Sequence, residues 1–167
     1  MNYQKAIRTL RDQEDRLQFN AFDHDLAFRI GTALREEAVK RGVAVTIDVR
    51  AYGQMLFHSS MAGTTPDNDR WVDRKSAVVL RFQASSFRIG RELAAAKTTM
   101  EERYLVDSRE FGPHGGSFPV RLRARGGRTD GGDAPGGVIG AITVSGLPQE
   151  EDHALVVAVL ERFVTEG

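Results

Sequence analysis

The strongest constraint on the fold of this chain is a strictly alternating run at residues 43–50, followed after a short gap by a second strand-like run at 54–59. Alternate positions of the first run separate into an apolar and a polar face, Val43, Val45, Ile47 and Val49 against Thr46, Asp48 and Arg50. The intervening Ala51-Tyr52-Gly53 suits a short hairpin with glycine at positive φ. A second strand pair is predicted at 120–125 and 138–145. Hairpin connections predict an antiparallel sheet with packed helices, rather than the parallel sheet of a nucleotide-binding Rossmann domain.

Helical patterns lie before, between and after these strand pairs. They are predicted at about residues 6–17, 23–42, 66–85 and 88–100, and from Pro148 onward. The second is the most regular, with Asp23 as a cap and Gly42 as a stop, whereas the first could also be an arm that packs on a neighbour. The sequence therefore predicts an α/β (α+β) fold. Residues 1–167 are expected to form a single domain in which 126–137 is a flexible Gly-rich hairpin loop.

Composition excludes several classes of function. Lys plus Arg equals Asp plus Glu at 23 each, so no overall field draws the chain to nucleic acid. The absence of cysteine excludes disulfides, thiolate nucleophiles and cysteine-ligated metal centres. The first residues lack the apolar core of a signal peptide, and no run is long enough to span a bilayer. A cytoplasmic protein without a membrane span is therefore expected.

The segment from Phe57 to Lys75 holds the first candidate functional residues, because it joins a predicted strand to a predicted helix. His58 could be a surface, core or ligand residue, since imidazole can ligate or transfer protons near neutral pH. Lys75 follows Arg74 in the early turns of the helix, where the helix dipole disfavours cations. A nearby anion or carboxylate partner would explain basic residues at this position. A solvated basic edge of the helix would also explain them and is the favoured interpretation.

The second candidate is the loop His114-Gly115-Gly116-Ser117, which is similar to the glycine-rich oxyanion loops of esterases. The chain has no GxSxG elbow, so a tight loop is favoured, and a ligand contact from its amides stays open. No two histidines have the spacing of a local metal pair, and no nucleotide-binding motif occurs. Neither a metal site nor a catalytic residue is predicted. Arginines at alternate positions of a predicted strand are interpreted as its solvated face: Arg121, Arg123 and Arg125. Carboxylates at the start of the last helix are interpreted as complements of its dipole: Glu150, Glu151 and Asp152.

Several blocks of the chain match a known pattern in the right order. They are Val45-Thr46-Ile47-Asp48-Val49-Arg50 with Gly53-Gln54, Gly63-Thr64-Thr65-Pro66-Asp67-Asn68, Trp71 with Arg74-Lys75, His114-Gly115-Gly116-Ser117-Phe118-Pro119, and Val144-Ser145-Gly146-Leu147-Pro148-Gln149-Glu150-Glu151-Asp152-His153. By these blocks the chain resembles an uncharacterised protein family within the haem-degrading domain superfamily, which includes GlcG-like and HbpS-like proteins and the C-terminal domain of PduO. The resemblance covers nearly the whole chain.

The resemblance implies a profilin-like or roadblock-like fold, with a five-stranded antiparallel sheet flanked by helices and assembly into homo-oligomers. It also implies a haem-associated or other small-ligand function, for which haem would need an axial donor and an apolar slot. The main hypothesis is a ligand site drawn from His58, Met61, Trp71, Lys75, His114, Gly115 and Gly116, with His58, Met61 and His114 as available donors to haem. An alternative is a homo-oligomeric protein-interaction or assembly module, for targeting or chaperone-like, in which the segment from Pro66 to Trp71 and the basic edge of the helix contact a partner or a neighbouring subunit. A third is an enzyme of unknown type on which Asp48, His58, Asp67, Lys75 and His114 converge.

Overall fold

The computed structural model describes residues 2–124 and 136–164, and within them six helices surround a four-stranded antiparallel sheet. The helices are α1 (Tyr3–Arg16), α2 (His24–Arg41), α3 (Pro66–Phe82), α4 (Ser86–Ala96), α5 (Met100–Tyr104) and α6 (Gln149–Val164). The strands are β1 (Thr46–Ala51), β2 (Gln54–Ser60), β3 (Ser117–Arg121) and β4 (Val138–Ser145). The predicted α+β class is confirmed.

The strand order is β2-β1-β4-β3, and the predicted first hairpin forms. Its first strand begins at Thr46 rather than at Val43, and Ala51, predicted in the turn, pairs with Gln54 at the end of β1. Its turn has Tyr52 at φ 56° and Gly53 at φ 73°, as a two-residue hairpin turn requires. The expected five strands are wrong for the described residues. Beyond β3 there is only an isolated parallel bridge between Phe19 and Leu122, because the chain there soon turns away to cap α2 at Asp23.

The second hairpin differs from the prediction in its first strand. β3 begins at Ser117, in a stretch predicted as loop, because Phe118 is fully buried and pairs with Ile142 of β4. β3 ends at Arg121, so the predicted stripe of three arginines on one strand is wrong. The Arg121 guanidinium instead donates to the carbonyl oxygens of Gln83 and Gly136. Arg125 and residues 126–135 of the expected loop lie outside the described residues.

The helix ends follow local capping chemistry. The Asp23 carboxylate accepts from the N–H of Leu26, and Gly42 ends α2 with a φ of 67°, as predicted. α3 stops at Phe82, before the predicted end near Ser85, because Ser85 caps the start of α4. α4 in turn ends at Ala96, so the predicted single helix over 88–100 is wrong at its C-terminal end.

The two faces of the sheet are covered differently, and this difference positions the candidate site. α2 and α6 pack on an apolar face, whose core includes Ile30, Leu34, Ile47, Phe118, Ile142, Val144, Leu155 and Leu160. α3 crosses the opposite face. That face carries polar side chains that are nonetheless fully buried: Thr46, Asp48, Ser117 and Thr143. Buried polar groups need partners, so side chains of α3 and of neighbouring strands are drawn into hydrogen bonds there.

Candidate functional site

α3 presents two sets of polar residues to its surroundings. Asp69 and Asp73 are four residues apart and reach the side chains of β1 and β2. Trp71 and Lys75 are also four apart and lie towards the loop before β3 and the start of α6. A spacing of four places residues on one side of a helix, so the helix separates two clusters.

The second cluster borders a cavity of about 280 Å³. Its walls come from the first turns of α3 and α6, the loop before β3 and the connection that follows β4. The lining residues are Asp67, Asn68, Trp71, Lys75, His114, Ser145, Gly146, Leu147, Gln149 and Asp152. Most of them carry a hydrogen-bonding or charged side chain, so the cavity is suited to a polar occupant.

Lys75 and Asp152 form a buried ion pair on the wall of this cavity. The Nζ of Lys75 donates to Oδ2 of Asp152 at 2.8 Å and to the carbonyl oxygen of Val144 at 3.2 Å. The other carboxylate oxygen of Asp152 accepts from the N–H of Leu147 at 3.0 Å. Burial lowers the pKa of Lys75 and raises that of Asp152, although the charge of each partner opposes the shift of the other. The amine is therefore less basic than that of an exposed lysine.

His114 and Trp71 form a second wall of the cavity. Their ring centroids are 5.0 Å apart in an edge-to-face arrangement, and the guanidinium of Arg74 lies 4.0 Å from the centroid of the Trp71 ring. Burial lowers the pKa of His114, and the nearby charges of Lys75, Arg74 and Arg91 lower it further. The imidazole is therefore neutral at neutral pH.

The two glycines of the loop have structural tasks. Gly115 donates its N–H to Oε1 of Gln149 at 3.2 Å, so this amide is already engaged. Gly116 has a φ of 128°, and a Cβ there would lie 2.3 Å from the carbonyl oxygen of Val144 and 2.8 Å from Nζ of Lys75. A side chain at 116 would displace the amine from its position, so glycine is needed to seat the buried lysine.

His58 belongs to the other cluster, on the Asp69 side of α3. Its Nδ1 lies 2.8 Å from Asp48 and its Nε2 lies 2.7 Å from Asp69, while Arg50 bridges Asp48 and Asp73 with contacts of 2.6 Å to each. Burial alone would lower the pKa of His58, but the hydrogen bonds and charges of Asp48 and Asp69 outweigh it and raise that pKa. Both ring nitrogens are engaged by carboxylates.

The structure therefore divides the residues that sequence reasoning singled out. Trp71, Lys75 and His114 line one cavity, and Gly116 lies directly behind the amine of Lys75. His58 does not line that cavity, and Met61 packs against the apolar core on the other side of the sheet. A single site containing all seven predicted residues is not what the fold produces.

Asp152 is the main residue that sequence reasoning missed. Asp152 does lie in the first turn of α6, as its interpretation as a complement of the helix dipole required, but its exposed fraction is 1% and it pairs with Lys75, which that interpretation did not include. The interpretation of Lys75 as a solvated basic edge is wrong, because this lysine is buried in the same pair. A signal was present, since Asp152 precedes Leu155 and Val156 by three and four residues and so lies on the buried stripe of α6.

Neither a metal centre nor a membrane span is evident in the described parts of the chain. Within residues 2–124 and 136–164, no group of three or more histidine, aspartate or glutamate side chains is arranged to hold a metal ion. In the same ranges, none of the helices combines the length and the apolar character needed to cross a bilayer.

Comparison with known proteins identifies the family. Residues 22–161 match the profile of the family described as haem degrading protein HbpS-like. The chain belongs to this HbpS-like family. Relatives of this chain include a UPF0303 protein of Edwardsiella ictaluri, which is 44% identical to it over 164 residues that cover 98% of each chain. A UPF0303 protein of Streptomyces coelicolor is 44% identical over 161 residues, which cover 96% of this chain and 95% of the relative.

Solved structures share the fold of the HbpS-like protein. The Ybr137w protein, known from a crystal structure, is 34% identical in sequence to this chain. The two folds match with a TM-score of 0.80 over 96% of this chain and 88% of that one. The crystal structure of HbpS is 20% identical, with a TM-score of 0.60 over 87% and 92%. A PduOC:Heme complex is 16% identical, with a TM-score of 0.61 over 86% and 94%. At such low identity the last two are evidence of the fold alone.

Proposed function

We propose that this HbpS-like protein binds a small polar molecule in the cavity between the first turns of α3 and α6. The observation that carries the proposal is the Lys75–Asp152 ion pair, buried in the protein yet on the cavity wall. Burying two charges costs several kcal/mol per ion, roughly, before their attraction offsets it. Titratable groups with shifted pKa values in a cleft are typical of functional sites.

The lining indicates the class of ligand. Asn68 and Gln149 contribute amide groups, and Asp67 contributes a carboxylate, all of which can hydrogen-bond hydroxyl groups. Leu147 and the Trp71 ring add an apolar portion. The volume of about 280 Å³ lies just below the range of about 300–1,000 Å³ that is usual for drug-sized ligands. The ligand we propose is therefore small, with hydroxyl or carbonyl oxygens.

Haem is the ligand suggested by the HbpS-like family, described as haem degrading, and by the PduOC:Heme complex that shares this fold. A haem needs an axial donor and apolar walls for its macrocycle. His114 has the neutral imidazole that an axial donor requires, whereas both nitrogens of His58 are engaged and Met61, partly buried, packs against the apolar core. The cavity beside His114 is small and mostly polar. Haem does not fit this cavity within one chain, and no reaction step is assigned to it.

The fluorescence of Trp71 gives a direct test, because this is the only tryptophan in the chain and it lines the cavity. We expect small hydroxylated compounds to change its emission and to raise the thermal midpoint of the protein. Gln149→Ala should weaken the response, while Lys40→Ala, at an exposed site on α2, should respond like the wild type. The proposal fails if no compound in a broad panel of small polar molecules alters the emission.

A parallel hemin titration separates the haem hypothesis from this one. If haem is the ligand instead, a Soret shift at micromolar hemin should be lost in His114→Ala and kept in His58→Ala. We expect no such His114-dependent shift, because the cavity beside this imidazole has neither the size nor the apolar walls for a macrocycle.

We also propose that the chain self-associates through the outer edge of β2. This strand is at one end of the strand order, and the exposed fractions of Met55 on β2 and Phe28 on α2 are 54% and 61%. Phe28 packs on Phe57 of β2, with ring centroids 5.9 Å apart, so its ring lies beside the edge. A sheet edge with exposed apolar side chains is a template for pairing with another chain, and soluble assemblies are usually symmetric homo-oligomers.

Sedimentation velocity tests the association. Met55→Lys should shift the protein towards the monomer. Leu105→Lys should not, because Leu105 is 89% exposed but follows α5, away from β2 in the fold. A wild-type protein that sediments as a monomer at every concentration would exclude this proposal.

A further inference from the structure

We propose that the ε-amino group of Lys75 forms a reversible imine with a small hydroxylated aldehyde or ketone bound in the cavity. This inference rests on the proposed small-ligand function and names the substrate class more closely. The chain holds three other lysines, Lys5, Lys40 and Lys97, and each of them is exposed. Lys75 alone combines a buried amine with a position on a cavity wall.

The geometry fixes the amine where a carbonyl carbon could reach it. Asp152 and the carbonyl oxygen of Val144 accept two of its hydrogen bonds, and an ammonium group has three N–H donors. The third direction is not used by a hydrogen bond to any residue in the described parts of the chain. Lys75 also lines the cavity, so a bound carbonyl compound would approach the amine from the cavity side.

Asp152 is placed to move the protons that the reaction requires. An amine attacks a carbonyl only when it is neutral, and Oδ2 of Asp152 lies 2.8 Å from Nζ, close enough to take its proton. Burial favours this transfer, because it lowers the pKa of Lys75 and raises that of Asp152. The nitrogen then bonds to the carbonyl carbon as the C=O π bond breaks. One of the two protons left on the nitrogen moves to the carbonyl oxygen, which gives a neutral carbinolamine while Asp152 keeps the proton that it took from Lys75.

The second half of the reaction returns the proton. Asp152 protonates the departing hydroxyl group, the C–O bond breaks, and water leaves as the C=N bond forms. The nitrogen retains one proton, so the product is an iminium ion with the single positive charge that the ammonium carried. The sum is one ammonium and one carbonyl compound giving one iminium and one water, without an oxidant or reductant. The ion pair with the Asp152 carboxylate is restored in the adduct.

The other residues that line the cavity indicate why the ligand should carry a hydroxyl group. Asn68 and Gln149 have amide groups, and Ser145 contributes a further polar group to the lining of the cavity. The neutral imidazole of His114 adds a group that both donates and accepts a hydrogen bond. The amide oxygens of Asn68 and Gln149 already accept from the N–H groups of Thr65 and Gly115. A plain hydrocarbon aldehyde would offer no acceptor to the amide N–H groups, which costs binding free energy. A compound with a hydroxyl group beside its carbonyl satisfies them.

Reductive trapping tests the imine. The wild-type protein is treated near neutral pH with limiting glycolaldehyde and cyanoborohydride, and peptide mapping by mass spectrometry then measures the label on each lysine. We expect Lys75 to be labelled several-fold more than Lys5, Lys40 or Lys97, because it alone lines the cavity that holds the aldehyde and because burial lowers its pKa. Labelling of Lys75 no greater than that of the exposed lysines would overturn the inference.

Two further measurements assign a failure to its cause. Lys75→Arg keeps the positive charge beside Asp152 but removes the nucleophile, so labelling at the other lysines should be unchanged. 1,2-Ethanediol matches glycolaldehyde in size but has no carbonyl group. If both compounds change Trp71 emission while Lys75 stays unlabelled, the imine is excluded and small-ligand binding stands. Both proposals fail if three results coincide: neither compound changes the Trp71 emission, no compound of a broader polar panel changes it, and Lys75 stays unlabelled.

Discussion

The two charged clusters on either side of α3 have similar bond lengths and different surroundings. Lys75 and Asp152 are 2.8 Å apart, with side-chain exposures of 5% and 1%. Arg50 and Asp73 are 2.6 Å apart, with side-chain exposures of 25% and 51%. In water a charge pair gains little, whereas a pair shielded from solvent interacts strongly but must first lose its hydration. Burial, rather than the length of the bond, sets what each cluster contributes.

This difference extends to the chemistry of the two clusters. Burial makes the Lys75 ammonium easier to deprotonate, because its pKa is lowered. In the other cluster, burial opposes the charges of Arg50 and His58, but their hydrogen bonds to carboxylates prevail and raise both pKa values. The surroundings of the first cluster therefore favour proton loss from Lys75, while those of the second favour the charged forms of Arg50 and His58, whose contacts tie β1 and β2 to α3.

The largest expected effect is that of Lys75→Met. Methionine fills much of the space of the lysine stem but leaves Asp152 buried without a counter-charge, so the free energy of unfolding should fall by about 3–5 kcal/mol. Urea unfolding measures this loss. Lys40→Met, at an exposed position, should change the free energy by no more than about 0.5 kcal/mol.

A double variant sharpens this result. Asp152→Asn combined with Lys75→Met removes the second charge but keeps an oxygen that can accept from the N–H of Leu147. Part of the lost stability should return, because no uncompensated charge remains buried. If Lys75→Met alone lowers the free energy of unfolding by less than about 1 kcal/mol, water reaches Asp152, and the two clusters do not differ in burial as described.

A second prediction concerns the glycine behind the lysine. Gly116→Ala forces a Cβ against the carbonyl oxygen of Val144 at a φ of 128°, which should destabilise the fold by about 1–3 kcal/mol. It should also reduce the Trp71 response to ligand, because Nζ of Lys75 must shift. Gly137→Ala is the matched control, since a Cβ there meets nothing within 4 Å. Equal stability of the two variants in urea would contradict the assigned role of Gly116.

Local patterns predicted much of the fold but little of the cavity. Alternation and capping residues were sufficient for the first hairpin and for α2, because their determinants lie within a few residues. β3 was misplaced at its start because glycine and proline near Phe118 indicate a loop, whereas burial against β4 decides the strand. The five-strand expectation came from resemblance, and it failed where only Phe19 bridges to the edge of the sheet.

The candidate site shows the same limit at longer range. Trp71 and Lys75 were recognisable as neighbours on one helix, but Asp152 lies 77 positions beyond Lys75. One sequence contains no signal that pairs residues so far apart. The apolar neighbours of Asp152 at helical spacing indicated that it was buried, and a buried carboxylate needs a cation. Which cation it would be was decided only by the packing of α3 and α6 against the sheet.

A third, smaller effect is expected from His58 and depends on pH. Its folded pKa is raised above the unfolded value of about 6.5, so its stabilising contribution is complete below that pH and is lost as pH rises through the folded pKa. The free-energy difference between wild type and His58→Gln should therefore shrink by about 1 kcal/mol or less between about pH 5.5 and about pH 9. Urea unfolding across this range measures it. A difference that grows with pH would show that His58 is neutral in the fold.

The smallest expected effect is that of Asp73→Asn, and it tests the comparison most directly. The Arg50–Asp73 bond is short, yet half of the Asp73 side chain is exposed, and Arg50 keeps its bond to Asp48. The free energy of unfolding should fall by about 0.3 kcal/mol, and added salt should reduce even that. Asp152→Asn makes the same chemical change beside the buried Lys75 and should cost several times more. If urea unfolding gives equal losses for the two variants, distance rather than burial governs these ion pairs, and the distinction between the two sides of α3 is wrong.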